Sequence, residues 1–258
     1  FGRPHKDYKE RKYNYFIVIP CYNEFNYIFD TLESIACQNQ TILDDTLVVV
    51  VVNNSQKDSD AIKQNNKKTY NLLISKKYKF NFIVIDCFSL KYAIPKNLAG
   101  VGYARKIGLD FSLNHIIDKQ SILCCLDADT LIDKKYLTII KSNFKKNIDV
   151  AVVNFNHQKS DNPIIEDGIR KYEASIKKIA QKIHSTGSPY GYVSMGSTIV
   201  CNVKSYIACG GMNTKKATED FYFLQSLAKY TTIHKINRKL VFPSSRNENR
   251  VYLGTGFR

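Results

Sequence analysis

No apolar run in the 258-residue sequence is longer than the six residues Leu47–Val52, far short of the ~20 that cross a bilayer. A membrane-spanning helix is thereby excluded, and no stretch has the layout of a signal peptide. The chain begins at Phe1 rather than Met, as a processed fragment would. Long Pro-, Gly- or Ser-rich stretches are also missing, which argues against flexible linkers and intrinsic disorder. The seven cysteines include no Cys-x-x-Cys pair. At 258 residues the chain is too long for a disulfide-stapled miniprotein, and the odd number without paired spacing fits buried free thiols in a reducing compartment. Glycine is lacking where phosphate loops need it. The first strand-to-helix turn reads Pro20-Cys21-Tyr22-Asn23-Glu24, Gly100-Val101-Gly102 has no third glycine, and no Gly-x-x-x-x-Gly-Lys-Ser/Thr occurs, so dinucleotide-binding and P-loop folds are disfavoured. Acidic residues are outnumbered 23 to 38, for a net charge of +15. Such an excess favours polyanionic partners. The basic residues, however, are mostly lysines in dispersed pairs such as Lys67-Lys68, Lys134-Lys135 and Lys177-Lys178, and no nucleic-acid recognition motif accompanies them. Solvated helix faces account for them, and no nucleic-acid partner is expected.

What is present is an alternation. Apolar runs at Tyr15–Pro20, Thr46–Val52, Phe80–Asp86 and Ser121–Leu126 are each followed by a stretch with apolar residues every three or four positions. Helices are expected near Asn26–Cys37, Ser59–Ile74, Val101–His115 and Asp133–Phe144, the last with Asp133 as N-cap. Near-continuous apolar strands belong to a parallel sheet covered on both faces, where ligands bind beyond the carboxyl ends of the strands. After Asp149–Asn156 the pattern changes to a helix at about Ile165–His184, a strand at Ser197–Cys201 and a helix over Thr218–Lys229. No linker separates the halves, so a single α/β domain over residues 1–258 is expected.

The strand ends carry polar residues: Pro20 to Glu24 after the first, Asn53-Asn54-Ser55 after the second, and Asp127-Ala128-Asp129-Thr130 after the fourth. Alone, each suits a turn or a helix cap. Together they suit a hard cation, because two carboxylates on alternate residues can converge on one metal and leave positions open for substrate phosphates.

These blocks, with Gly100 to Leu109, Gly210-Gly211-Met212 and Thr218-Glu219-Asp220-Phe221, come in one order over roughly residues 15–230. The order resembles that of family 2 glycosyltransferases with the GT-A fold. The resemblance implies a nucleotide-binding, mostly parallel sheet sandwiched by helices with a C-terminal acceptor-side extension. Residues of about 15–156 would bind the nucleotide sugar, and those of about 157–258 would supply the acceptor side, the base and a C-terminal loop. It implies an inverting, hexosyl- or N-acetylhexosaminyl-transferring enzyme that uses a nucleotide-diphosphate sugar and Mn²⁺ or Mg²⁺. On this chain Pro20, Asn23, Glu24 and Asn53 would line the nucleotide site and Arg105 would stand near the diphosphate. Asp127 and Asp129 would hold ribose and metal, with Asp220 as catalytic base. The acceptor would be a glycan, a lipid-linked sugar or another hydroxyl compound. A catalytically silent binding module and a nucleotidyltransferase are the alternatives. One departure concerns the base: many relatives end the second strand in an Asp pair, whereas Val52-Asn53 stands here. An amide still complements the N3–H and a ring carbonyl of uracil, so a UDP donor is expected.

At Asp220, Gly210-Gly211 is expected to form a sharp turn and Thr218 to cap the following helix, whose N-terminus favours the carboxylate form. The tail reads equally as a frayed end or as a loop folding over the donor, on which Arg246 and Arg250 would contact the diphosphate. The helix at Ile165–His184 sets isoleucines on one arc and lysines opposite. Packing on the sheet is the first expectation for it, and contact with an anionic membrane the second. A cytoplasmic, at most membrane-peripheral, protein is expected. His234 is within conceivable reach of the metal.

Overall fold

The computed structural model describes residues 2–6, 11–215 and 218–246. Within them the strands are β1 (Arg3–Pro4), β2 (Tyr15–Cys21), β3 (Thr46–Asn53), β4 (Asn81–Cys87), β5 (Ile122–Cys125), β6 (Leu131–Ile132), β7 (Val150–Phe155), β8 (Ile199–Asn202) and β9 (Ile233–Phe242). The helices are α1 (Ile28–Ala36), α2 (Gln40–Leu43), α3 (Asp60–Ser75), α4 (Val101–Ser112), α5 (Tyr136–Phe144), α6 (Pro163–Ser185), α7 (Val203–Ala208) and α8 (Glu219–Tyr230). None is long and apolar enough to cross a membrane among these residues.

The strands form one sheet in the order β1-β4-β3-β2-β5-β8-β7-β9-β6. β4, β3, β2 and β5 are parallel neighbours. β8 then runs antiparallel to both β5 and β7, and β9 returns parallel to β7. The α/β class with helices on both faces holds, and β7, β8 and β9 of the later half join the same sheet.

Every residue of β2 and β3 is buried, because successive side chains point to opposite faces and both faces are covered. Ile17, Ile19, Val48 and Val50 pack on one side with Ile28, Leu32 and Ile35 of α1 and Tyr136, Leu137 and Ile140 of α5. Phe16, Val18, Val49 and Val51 pack on the other with Ala104 and Leu109 of α4 and Phe223, Leu224 and Leu227 of α8. The chain leaves β2 towards β3 and later returns to β5 on β2's other side. That reversal makes the carboxyl ends of β2 and β5 the expected ligand crevice.

Several local expectations shift. α5 starts at Tyr136, and Asp133 instead accepts the Lys135 N–H in the turn before it. Thr218 stands at the N-cap of α8 in the left-handed region (φ 58°), with no capping bond from its side chain. Gly210 and Gly211 do take left-handed backbone (φ 81° and 78°), which glycine adopts without steric penalty.

Candidate active site

Two charged clusters occupy the crevice. In the first, Glu24 follows β2 and heads α1, its carbonyl accepting the N–H groups of Tyr27 and Ile28. Arg246 clamps its carboxylate, with Nη1 on Oε2 and Nη2 on Oε1, both at 2.8 Å. The same Nη2 lies 2.8 Å from Asp129 Oδ2, and the guanidinium lies over the Tyr27 ring at 4.4 Å. One cation from the C-terminal segment thus joins the ends of β2 and β5.

In the second cluster Arg105 of α4 is 1 % exposed. Its Nη2 donates to Asp127 Oδ1 at 2.5 Å and its Nη1 to Glu219 Oε1 at 2.6 Å. Asp220 follows Glu219 in the first turn of α8, its Oδ1 accepting the Phe221 N–H at 2.7 Å.

Electrostatics follow from burial. Desolvation pushes Glu24 up to about 8, against the pull of Arg246 and with help from Asp129. Asp129 is raised by burial, again opposed by Arg246. Glu219 and Asp220 are raised by burial against Arg105. The helix N-terminus was expected to favour ionised Asp220, but burial outweighs it and leaves a stronger base. For Arg105, burial works against the charge and Asp127 and Glu219 more than restore it.

The loop carrying Asp127 and Asp129 is fixed through its main chain. Thr31 Oγ1 of α1 donates to the Ala128 carbonyl at 2.9 Å, and Gln158 Nε2 to the Asp129 carbonyl at 3.0 Å. Gln158 belongs to a brace in which Arg170 Nη2 donates to the His157 and Gln158 carbonyls. His157 Nδ1 lies 2.8 Å from Glu173 Oε1.

At the end of β3, Asn53 is buried and its Oδ1 has no hydrogen-bond partner among the described residues. Asn66 Nδ2 donates to the Asn53 carbonyl and to Asn54 Oδ1, while its own Oδ1 accepts the N–H of Asn23. Asn23 is left-handed (φ 59°). Pro20 is buried within β2.

The structure therefore gathers Glu24, Asp129 and Arg246 directly, and Asp127 and Arg105 directly, with Asn23 linked to Asn53 through Asn66. Arg250 lies outside the described residues. His234 is exposed near the first residue of β9, while the strand's other end at Phe242 meets Leu131 beside the carboxylates. It does not join them. Sequence reading missed the partner of Glu219, the brace of Gln158, His157, Arg170 and Glu173, and the role of Asn66. Each depends on contacts distant in sequence, and no local pattern marks them.

Asp127 and Asp129, part-exposed and each met by a guanidinium, present carboxylate oxygens, which suit a hard divalent cation. Among the described residues no three His, Cys, Asp or Glu side chains are grouped as a complete metal cage. The carboxylates would thus supply part of a coordination sphere, with substrate phosphate and water as the natural remainder.

An open α/β sheet with polar and charged side chains at its reversal point defines a class of fold that takes its ligands beyond the strand ends. Residues 16–220 match the sequence pattern of Glycosyl transferase family 2, and the chain belongs to that family. No curated protein matches. Among solved structures, S. aureus TarS 1-349 in complex with UDP-GlcNAc aligns with a TM-score of 0.60 and 18% identity, covering 93% of this chain and 62% of that one. The mannosyltransferase PcManGT from Pyrobaculum calidifontis, in complex with GDP-Man and Mn²⁺, aligns at 0.55 and 14% identity, covering 93% and 59%. M. tuberculosis glucosyl-3-phosphoglycerate synthase aligns at 0.52 and 12% identity, covering 92% and 74%. The chain thus spans about three fifths of the first two, and the likenesses establish the GT-A fold.

Proposed function

We propose that the chain transfers a hexosyl or N-acetylhexosaminyl group from a nucleotide-diphosphate sugar, a UDP-sugar first, to an acceptor hydroxyl with inversion at the anomeric carbon. The observation that carries this reading is the convergence of Glu24, Asp127, Asp129 and the Asp220 turn on one crevice of a family 2 fold. Asp127 and Asp129 would hold Mn²⁺ or Mg²⁺, which when bound neutralises charge developing on the leaving diphosphate. Pro20, Asn23 and Glu24 would form the floor of the nucleotide site. Asn53 would read the base, its unpaired Oδ1 suiting an N–H donor such as uracil N3–H. The neighbours hold uridine or guanosine nucleotides, so the fold alone does not choose the base.

Asp220 would accept the acceptor's proton as its oxygen attacks from the face opposite the nucleotide. Its burial raises its basicity. Arg246, paired with Glu24 and Asp129 in the structure, would bind the donor diphosphate through the same guanidinium. Glycans and lipid-linked sugars are the acceptor classes we favour.

The reading is tested by thermal shift with UDP, GDP, TDP and CDP, each with and without Mn²⁺, because a ligand that binds only the folded state raises apparent stability. A UDP shift enhanced by Mn²⁺ is expected, and Asp129→Ala should abolish the enhancement. An unchanged Mn²⁺ dependence in that variant would remove Asp129 from the metal site.

A further inference from the structure

We propose that Arg105 and Glu219 are positioning residues that lock the first turn of α8, and with it Asp220, to the strand end carrying Asp127 and Asp129. The proposal rests on the reading of Asp220 as the base and gives Arg105 a role other than contact with the diphosphate.

The geometry runs through three elements. Arg105 on α4 spends one terminal nitrogen on Asp127 and the other on Glu219, and at 1 % exposure it is closed to solvent. Its fork is rigid and planar and carries two terminal nitrogens, so one side chain ties both carboxylates at once in a geometry that the single ammonium of a lysine does not offer. Asp127 and Glu219 lie 22 and 114 residues from it in sequence.

Two glycines clear the space. A Cβ on Gly102 would lie 2.8 Å from the Cβ of Glu219 and from the Lys215 carbonyl. A Cβ on Gly196, in the turn before β8, would lie 2.5 Å from Arg105 Nη2 and 2.9 Å from its Cζ. The end of a long side chain normally yields to such a clash at little cost. Arg105 cannot, because both ends of its fork are bound and it has no solvent to move into.

The helix itself shows why a lock is needed. From its second turn α8 is anchored by Phe223, Leu224 and Leu227 in the core. Its first turn carries Phe221 and Tyr222, 42 % and 37 % exposed, and so lacks that anchor. The ties found there are polar: the Glu219 side chain to Arg105, and Asn213 Nδ2 to the Glu219 carbonyl at 2.8 Å. Misplacing a reacting group by about 1 Å can cost on the order of 10²-fold in rate, so such a tie bears on turnover without touching substrate.

The test breaks the chain in two independent ways, Glu219→Gln and Gly196→Ala, and reads each by amide hydrogen exchange, UDP–Mn²⁺ calorimetry and steady-state kinetics. Exchange in the first turn of α8 should rise in both variants while the second turn stays protected. Nucleotide affinity should stay within about twofold and donor KM within about threefold, while kcat falls about 10- to 100-fold. Unchanged exchange at residues 219–222, or a loss of nucleotide affinity matching the loss of kcat, would overturn the proposal. A merely structural pair would lower the melting temperature and leave kcat intact below it, which also overturns it. Should the unaltered chain neither bind nucleotide nor turn over a donor, the functional reading fails, and the exchange result still decides whether the lock exists.

Discussion

Arg246 meets Glu24 in a two-pronged pair, 2.8 Å on each prong, and reaches Asp129 with one of the same nitrogens. A side chain near the end of the described residues thus neutralises carboxylates at the ends of β2 and β5, more than a hundred positions earlier. Without it, two buried carboxylates would face each other uncompensated. The arrangement makes Arg246 electrically part of the crevice.

Glu24 gives the crevice a pH signature. Burial lifts its pKa from 4.5 to about 8 despite Arg246, so between those values the folded state binds more protons than the unfolded one. Stability from this group is then fully present below about pH 4.5 and is lost as pH rises through about 8. In metal-free buffer the urea midpoint should decline from pH 5 to pH 8, and Glu24→Gln should flatten part of the decline. Parallel pH profiles for the two proteins would rule out Glu24 as a source.

A second prediction concerns packing under the site. A Cβ on Gly108 of α4 would lie 2.4 Å from Val18 Cγ1 and 3.0 Å from Val51 Cγ2, both in fully buried residues. Overpacking of this kind costs about 1–3 kcal/mol. An interior helical glycine returns about 0.5–1 kcal/mol on becoming alanine, so Gly108→Ala should lose about 0.5–2 kcal/mol net in urea unfolding at constant m-value, and a net gain in stability would show that α4 lifts off the sheet freely.

The third addresses the base. If the unpaired Oδ1 of Asn53 accepts from a pyrimidine N3–H, UDP should bind at least about tenfold more tightly than GDP, the worth of one buried hydrogen bond. Asn53→Ala should bring the two affinities together. Equal calorimetric constants in the unaltered chain would take base reading away from Asn53.

How legible this was depended on where each feature's partners lie. β2 and β3 were readable because every residue is buried, so the sequence is apolar without interruption. β9 was not, because Ile233–Phe242 lies beside the two-residue edge strand β6 and carries exposed Lys235, Arg238 and Lys239. Asp127 and Asp129 announced themselves by alternate spacing at a strand end. Nothing local marked the role of Glu219, since its partner Arg105 lies 114 residues away. Thr218 had the composition of a cap but takes a left-handed conformation, where its hydroxyl does not serve the helix.

The last prediction is the sharpest test of the proposed chemistry. Asp220 lies in the first turn of α8, beside Glu219, in the field of Arg105 and Asp127. Burial raises its pKa from the usual carboxylate value, Arg105 restrains the rise and Asp127 adds to it. A carboxyl group raised in this way is a stronger base than a solvated aspartate, and Arg105 limits the rise. Replacing it with asparagine preserves size and removes basicity. Turnover should fall about 10²- to 10⁴-fold, the usual range for loss of a general base, with UDP–Mn²⁺ affinity nearly unchanged. The acidic limb of the kcat/KM profile, which reports deprotonation of the free enzyme's base, should vanish in the variant. Near-normal turnover by Asp220→Asn, or a product with retained anomeric configuration from the unaltered chain, would assign the base elsewhere. Because Arg105 pairs with Asp127 and Glu219 rather than with Asp220, the substitution leaves both of its ion pairs in place, and a lost rate could not be laid to a collapsed charge cluster.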